Sequence, residues 1–174
     1  MIKRNHLHKY LLALFVLVLI PVFLFIPNKD ALVFQYQNSG KVLAYFPLSE
    51  GDSFQMKYIH SIHLSEVVES YTVTKGNEIK QIELMYEDFA IGMPENAAAG
   101  ETFEHRNGKY YIKNMDNRFP FFDLRTGKVR ANHKLIVGTN EYPLSHYIEP
   151  GTWVRLKIER INLWQQWKGV NILE

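Results

Sequence analysis

Val154-Arg155-Leu156-Lys157-Ile158-Glu159 places an apolar side chain at every second position and a charged one after each. Side chains of a strand alternate between two faces, so this pattern buries Val154, Leu156 and Ile158 and leaves Arg155, Lys157 and Glu159 to water. A helix would spread the same six residues around its whole circumference. Phe54, Met56 and Tyr58 repeat the alternation against Gln55, Lys57 and Ile59, with Ile59 departing from strict polarity. Outward from these two runs, strand-like segments recur at 32–37, 42–46, 67–74, 79–86, 109–113, 134–137 and 152–160. Turn chemistry separates them, at Asn38-Ser39-Gly40, Glu50-Gly51-Asp52, Gly76-Asn77, Asn107-Gly108, Thr126-Gly127, Gly138-Thr139-Asn140 and Pro150-Gly151. The rhythm is that of an all-β domain: an antiparallel β-sandwich or partly closed barrel of about seven to nine strands.

Upstream the pattern changes. Tyr10 to Ile26 is an uncharged run rich in Leu, Val, Phe and Ile, and as a helix it is about 26 Å long, at the short end of what crosses a bilayer. Lys3, Arg4 and Lys9 precede it, so the positive-inside rule leaves the N-terminus in the cytoplasm. The competing reading, a cleaved secretory signal, needs small residues after the run; Ile26-Pro27-Asn28-Lys29-Asp30-Ala31 puts Lys29 where one is required. The expected organisation is a basic tail over 1–9, a transmembrane signal anchor over 10–26, and an extracytoplasmic β-domain over 28–174. Such a chain sits in the cell membrane as a single-pass protein.

Composition removes several classes of chemistry. There is no Cys, hence no disulfide, thiolate nucleophile, iron–sulfur ligand or lipid-modified cysteine. Three of the 20 basic residues lie in the short head, and the rest nearly balance the 18 acidic ones, so no nucleic-acid footprint emerges. No nucleophile elbow, HExxH pair or phosphate loop occurs, and neither a cofactor nor a metal is expected.

The polar groups concentrate in Tyr58-Ile59-His60-Ser61-Ile62-His63-Leu64-Ser65-Glu66-Val67-Val68-Glu69-Ser70-Tyr71. Two strands joined near Leu64 to Glu66 fit it best. In a strand His60 and His63 point to opposite faces, which argues against a shared ion. His60 continues the face of Met56 and Tyr58, and a hairpin brings Glu69 or Ser70 back toward it. A His60–Glu69 pair then has three readings: a buried lock on the hairpin register, which is favoured, a ligand site, or a catalytic pair with Ser61 nearby. The second landmark is Phe89-Ala90-Ile91-Gly92-Met93-Pro94, where Gly92 permits positive φ and Pro94 holds Met93 extended. Around it Glu87, Asp88 and Glu95 carry calcium-compatible oxygens without EF-hand spacing. The tail Leu163-Trp164-Gln165-Gln166-Trp167 can place Leu163, Trp164 and Trp167 on one face of a short helix, with capping of the core expected over contact with lipid or a partner.

His60-Ser61, Glu69 before Tyr71, and the loop ending in Gly92-Met93-Pro94 together resemble a family of small bacterial membrane-anchored proteins of unknown function. Leu135-Ile136-Val137-Gly138 and Leu144 are similar to its later part, and the resemblance spans roughly 40–150. Many members are encoded beside TAXI-type tripartite (TRAP) transporters. The resemblance implies a β-rich outer domain and candidate ligand- or partner-binding residues His60, Ser61, Glu69, Tyr71, Gly92 and Pro94. It also implies partners beyond the cytoplasmic membrane: a TRAP permease or substrate-binding protein, or a small anionic solute such as a carboxylate. The expected function is an extracytoplasmic accessory or interaction protein of a solute transporter. The alternative is an extracytoplasmic hydrolase using His60 and Glu69.

Overall fold

A computed structural model of the chain describes residues 3–88, 93–128 and 131–174, with side chains throughout except at 3–7 and 20. It opens with helix α1, Lys3–Phe25, with Pro21 inside its last turns. The stretch His8–Phe25 is long and apolar enough to cross a membrane, and none of it is buried against protein. Ile26 alone separates α1 from the first strand, β1, Pro27–Tyr36.

The strands after it are β2 (Val42–Pro47), β3 (Ser53–Ile59), β4 (Glu66–Val73), β5 (Ile79–Tyr86), β6 (Thr102–Arg106), β7 (Lys109–Phe119) and β8 (Phe122–Arg125). Then come β9 (Lys134–Val137), β10 (Asn140–Pro143), β11 (Trp153–Asn162), helix α2 (Leu163–Lys168) and β12 (Val170–Asn171). They form a five-stranded sheet in the order β12-β2-β1-β11-β8 and a seven-stranded sheet in the order β10-β9-β3-β4-β5-β7-β6. Neither closes into a barrel, so the architecture is a sandwich. Neighbours run antiparallel, except that β12 lies parallel to β2.

The strand count exceeds the expected seven to nine. β8 and β10 have four residues each and β12 has two, too few to display a period of two. β6, Thr102–Arg106, is an edge strand with no buried residue, so its sequence carries no inward set.

The two sheets meet across the main core. Leu32, Phe34, Ala44, Val154, Leu156 and Ile158 face Phe54, Met56, Tyr71, Val73, Ile79 and Leu135. The alternations read at β3 and β11 therefore point inward as expected, with Tyr58 half-buried beyond the fully buried Phe54 and Met56. Beyond the overlap of the sheets, Val67, Leu84, Tyr86 and Ile112 form a second cluster, which Met93 and Ala97 of the β5–β6 connection cover.

The aromatic tail differs from expectation. Trp164 is 40% and Trp167 72% exposed, so neither caps the core. Ile172, at 1% exposure, is the tail residue that enters it. The chain can approach β2 there because Gly169 has no side chain: a methyl group would press on Val42 Cγ1 at 2.9 Å and on the Tyr45 ring at 3.3 Å.

Candidate functional site

β3 and β4 form the expected hairpin, in the register Ile59↔Glu66, Tyr58↔Val67 and Met56↔Glu69. The connection begins at His60, four residues before the Leu64 that the sequence suggested. His60 N–H donates to the Ser65 carbonyl, and Leu64 N–H donates back to the His60 carbonyl, so residues 60–65 make a tight turn. Leu64 takes φ 58°, a left-handed conformation that a branched apolar side chain adopts only under constraint from its surroundings.

That register corrects the His60–Glu69 pair. Glu69 stands across from Met56, four positions down the strand from His60, or about 13 Å at the usual rise. The pair falls outside hydrogen-bond and one-water reach. The same turn overturns the separation of the two histidines, because outside a strand the alternation rule lapses: the His60 and His63 rings lie 5.6 Å apart. Among the described residues no third His, Cys, Asp or Glu joins them as a metal set. Ser61 is exposed in the turn, followed by Ile62 at 63% and Leu64 at 56% exposure.

Glu69 has other partners. Tyr71 OH donates to Glu69 Oε2 at 2.7 Å and Tyr58 OH to Oε1 at 3.4 Å. The i, i+2 spacing of Glu69 and Tyr71 puts both on the inward face of β4, and Tyr58 reaches them from the neighbouring strand. Tyr71 stacks between Phe54 and Phe122, each ring centroid 5.2 Å away, which joins this network to the opposite sheet through β8. Burial raises the Glu69 carboxyl above its ordinary range, against the pull of the two phenol donors. Burial and the neighbouring carboxylate raise both tyrosines, so they remain donors.

His133 completes the cluster and was not singled out from the sequence. Its ring stacks on Tyr58 at 5.3 Å, and its Nδ1 accepts the Gly127 N–H at 3.3 Å. Burial lowers its pKa from the usual 6.5 to about 4, so the ring is neutral at physiological pH. Gly127 is demanded by close approach: a methyl group there would overlap Ala131 and sit 2.9 Å from its backbone nitrogen. The available signal was period two, since His133 is two residues before the inward-facing Leu135.

Pro94 has a structural task. Its carbonyl accepts the Tyr86 hydroxyl, pinning the β5–β6 connection over the second cluster. Gly92, with Phe89, Ala90 and Ile91, lies outside the described residues. Glu87 is engaged by Lys109 at 3.0 Å, which holds its carboxyl below the usual range, so this oxygen already has a cation.

An open concavity lies on the other side of the same strands. Ser70 and Tyr71 flank a register shift against β5, and three residues of β7, Asn114 to Asp116, stand opposite Ile82 alone. Asn114 accommodates the extra chain at φ 60°. Bulges bend a sheet locally and re-aim side chains. Here they shape an open hollow of about 740 Å³, lined by Gln55, Ser70, Lys80, Glu83, Lys113 and Asp116 among others. Gln55 Nε2 donates to Ser70 Oγ at 3.0 Å. Lys80 faces Asp116 at 3.2 Å and Lys113 faces Glu104 at 2.6 Å, so both cations at the rim are already compensated.

β4 thus carries two constellations: Glu69 and Tyr71 inward, in a partly buried network with Tyr58 and His133, and Ser70 outward, in the hollow. The first holds acceptors and donors in fixed positions but presents no nucleophile. The second presents amides and balanced charge to solvent above the buried Ser70 hydroxyl.

A domain of unknown function, DUF1850, matches residues 54–144, just over half of the chain. The match takes in nearly the whole seven-stranded sheet with both constellations, and leaves α1, β1, β2, β11 and the tail outside it. No curated protein and no solved structure matches the chain.

Proposed function

The chain belongs to the DUF1850 family, and from that premise we propose a membrane-anchored accessory protein of a solute transporter that docks a polar partner in the hollow of its seven-stranded sheet. The bulged centre of that sheet carries the reading. It supports recognition because the backbone has been reshaped around an open, polar surface of the size that binding sites take, and within the matched segment. Compensated lysines at the rim favour a neutral or mixed-charge protein surface. A small carboxylate solute would have to take Lys113 from Glu104 or Lys80 from Asp116.

α1 supplies the anchor. Its 18-residue apolar stretch, about 27 Å as a helix and unburied, satisfies its own backbone and needs no protein cover in lipid. The basic head supports an extracytoplasmic β-domain by the positive-inside rule. The resemblance to a family of which many members are encoded beside TAXI-type TRAP transporters supports a permease or substrate-binding protein as the partner. The hydrolase reading required a His60–Glu69 pair, and it loses its basis with the register of β3 and β4.

Affinity purification of the detergent-solubilised full chain tests this. A transporter component should co-purify with the native protein and be lost with Glu83→Lys, which reverses one charge in the hollow. Stability should change by no more than about 1 kcal/mol, as for other solvated charges. Recovery of the native chain without a transporter component would refute the proposal.

A further inference from the structure

We infer that α2 is a second membrane contact: Trp164, Trp167 and Lys168 sit in the headgroup layer of the bilayer that α1 crosses, and fix how the sandwich stands on it. This rests on reading α1 as a membrane span.

The fold leaves α2 little choice of place. Asn162, the last residue of β11, pairs with Pro27, the first of β1, so α2 starts where α1 ends. Asn162 caps α2 through the Gln165 amide while Gln165 Oε1 accepts the Asn162 N–H, a capping box that starts the helix directly at the strand end. Gln166 Nε2 donates to Asn28 Oδ1 at 2.7 Å, tying the helix to the second residue of β1. The Trp164 ring lies 6.1 Å from that of Phe25, the last residue of α1.

Having been placed there, α2 buries none of its residues. Trp167 is 72% exposed and Trp164 40%, beside Phe25 at 56% and Ile26 at 51% at the end of α1. These side chains form an apolar collar continuous with the membrane helix. Tryptophan suits the boundary between acyl chains and headgroups, with an apolar body and one N–H to satisfy. Lys168 Nζ lies 4.9 Å and 4.5 Å from the two indole centroids. It thus brings a cation to the level where lipid phosphates lie, while its stem covers apolar surface. Continuity with α1 is what selects lipid over a protein partner as the occupant.

The three tryptophans allow a direct test. Trp153 starts β11, nine residues from Asn162, so it stands about 30 Å from the collar. The full chain is reconstituted into phosphatidylcholine vesicles with and without brominated acyl chains. Trp153→Phe, which reports Trp164 and Trp167, should lose fluorescence severalfold in the brominated vesicles. The double variant Trp164→Phe with Trp167→Phe, which reports Trp153, should be unchanged. Flotation of the same samples reads the anchor separately. If the chain floats with the vesicles but Trp164 and Trp167 escape quenching, whether in water or against a second copy, the inference is overturned and the anchor stands. If the chain does not float, the anchor reading fails and the inference falls with it.

Discussion

Replacing Tyr71 by Ala is expected to lower the stability of the outer domain by about 3–5 kcal/mol, the range for removing a fully packed aromatic ring. Tyr71 is 5% exposed and its ring is clamped between Phe54 and Phe122, so deletion leaves a cavity at the junction of the two sheets. It also strips Glu69 of its 2.7 Å donor, leaving a buried carboxylate with only the longer bond from Tyr58. Tyr71→Phe separates the two contributions: it keeps the packing and removes only the hydroxyl, for about 1–3 kcal/mol. Urea unfolding of the detergent-solubilised chain reads both. If the Phe variant is as stable as the native protein, Glu69 does not depend on this bond.

The second large effect is acid loss of stability through His133. Its folded pKa, about 4, lies below the usual 6.5, so between these values the unfolded chain binds more protons than the folded one. The stabilisation held at pH 7 is therefore lost as pH falls from 6.5 to about 4. The shift corresponds to about 2–3 kcal/mol, the lower figure allowing for water reaching part of the ring. Protonation would also eject the Gly127 N–H from Nδ1. Glu69 works in the opposite sense: its pKa is raised on folding, so its burial is least costly in acid and its contribution falls as pH rises through the folded pKa. His133→Gln, which can still accept from Gly127, should flatten the decline between pH 6.5 and 4. Glu69→Gln should steepen it. An unchanged pH profile for the His133 variant would show that the ring is free to protonate in the fold.

Fold class was legible because the decisive residues sit in strands with one dry face. Val154, Leu156 and Ile158, and Phe54 and Met56, are buried at every second position. β1 was read as starting at Leu32, five residues late, because Pro27-Asn28-Lys29-Asp30 is exposed to half-buried and carries no alternation. Within the site, Glu69 and Tyr71 were legible as a pair on one strand face, since that depends only on a spacing of two. The partner of Glu69 was not, because it depends on register: ending β3 at Ile59 and turning through six residues moves Glu69 from His60 to Met56. His133 lies just before β9, 64 residues downstream of Glu69, and the hollow arises from extra residues in β5 and β7 that shift the register across three strands, which no local pattern announces. The tail was misread for a related reason. Its apolar face was visible, but its place beside α1 follows from the pairing of Asn162 with Pro27, a long-range fact.

The absence of cysteine makes one measurement possible on living material, since any introduced thiol is unique. Glu83→Cys places it in the hollow, and Lys157→Cys places it on β11, in the other sheet. Intact protoplasts expressing each variant are treated with a membrane-impermeant thiol-reactive cross-linker. The account predicts that both thiols react, and that only position 83 joins the protein to a component of the transporter. Thiols that stay unreactive until the membrane is permeabilised, or the same products from positions 83 and 157, would contradict it.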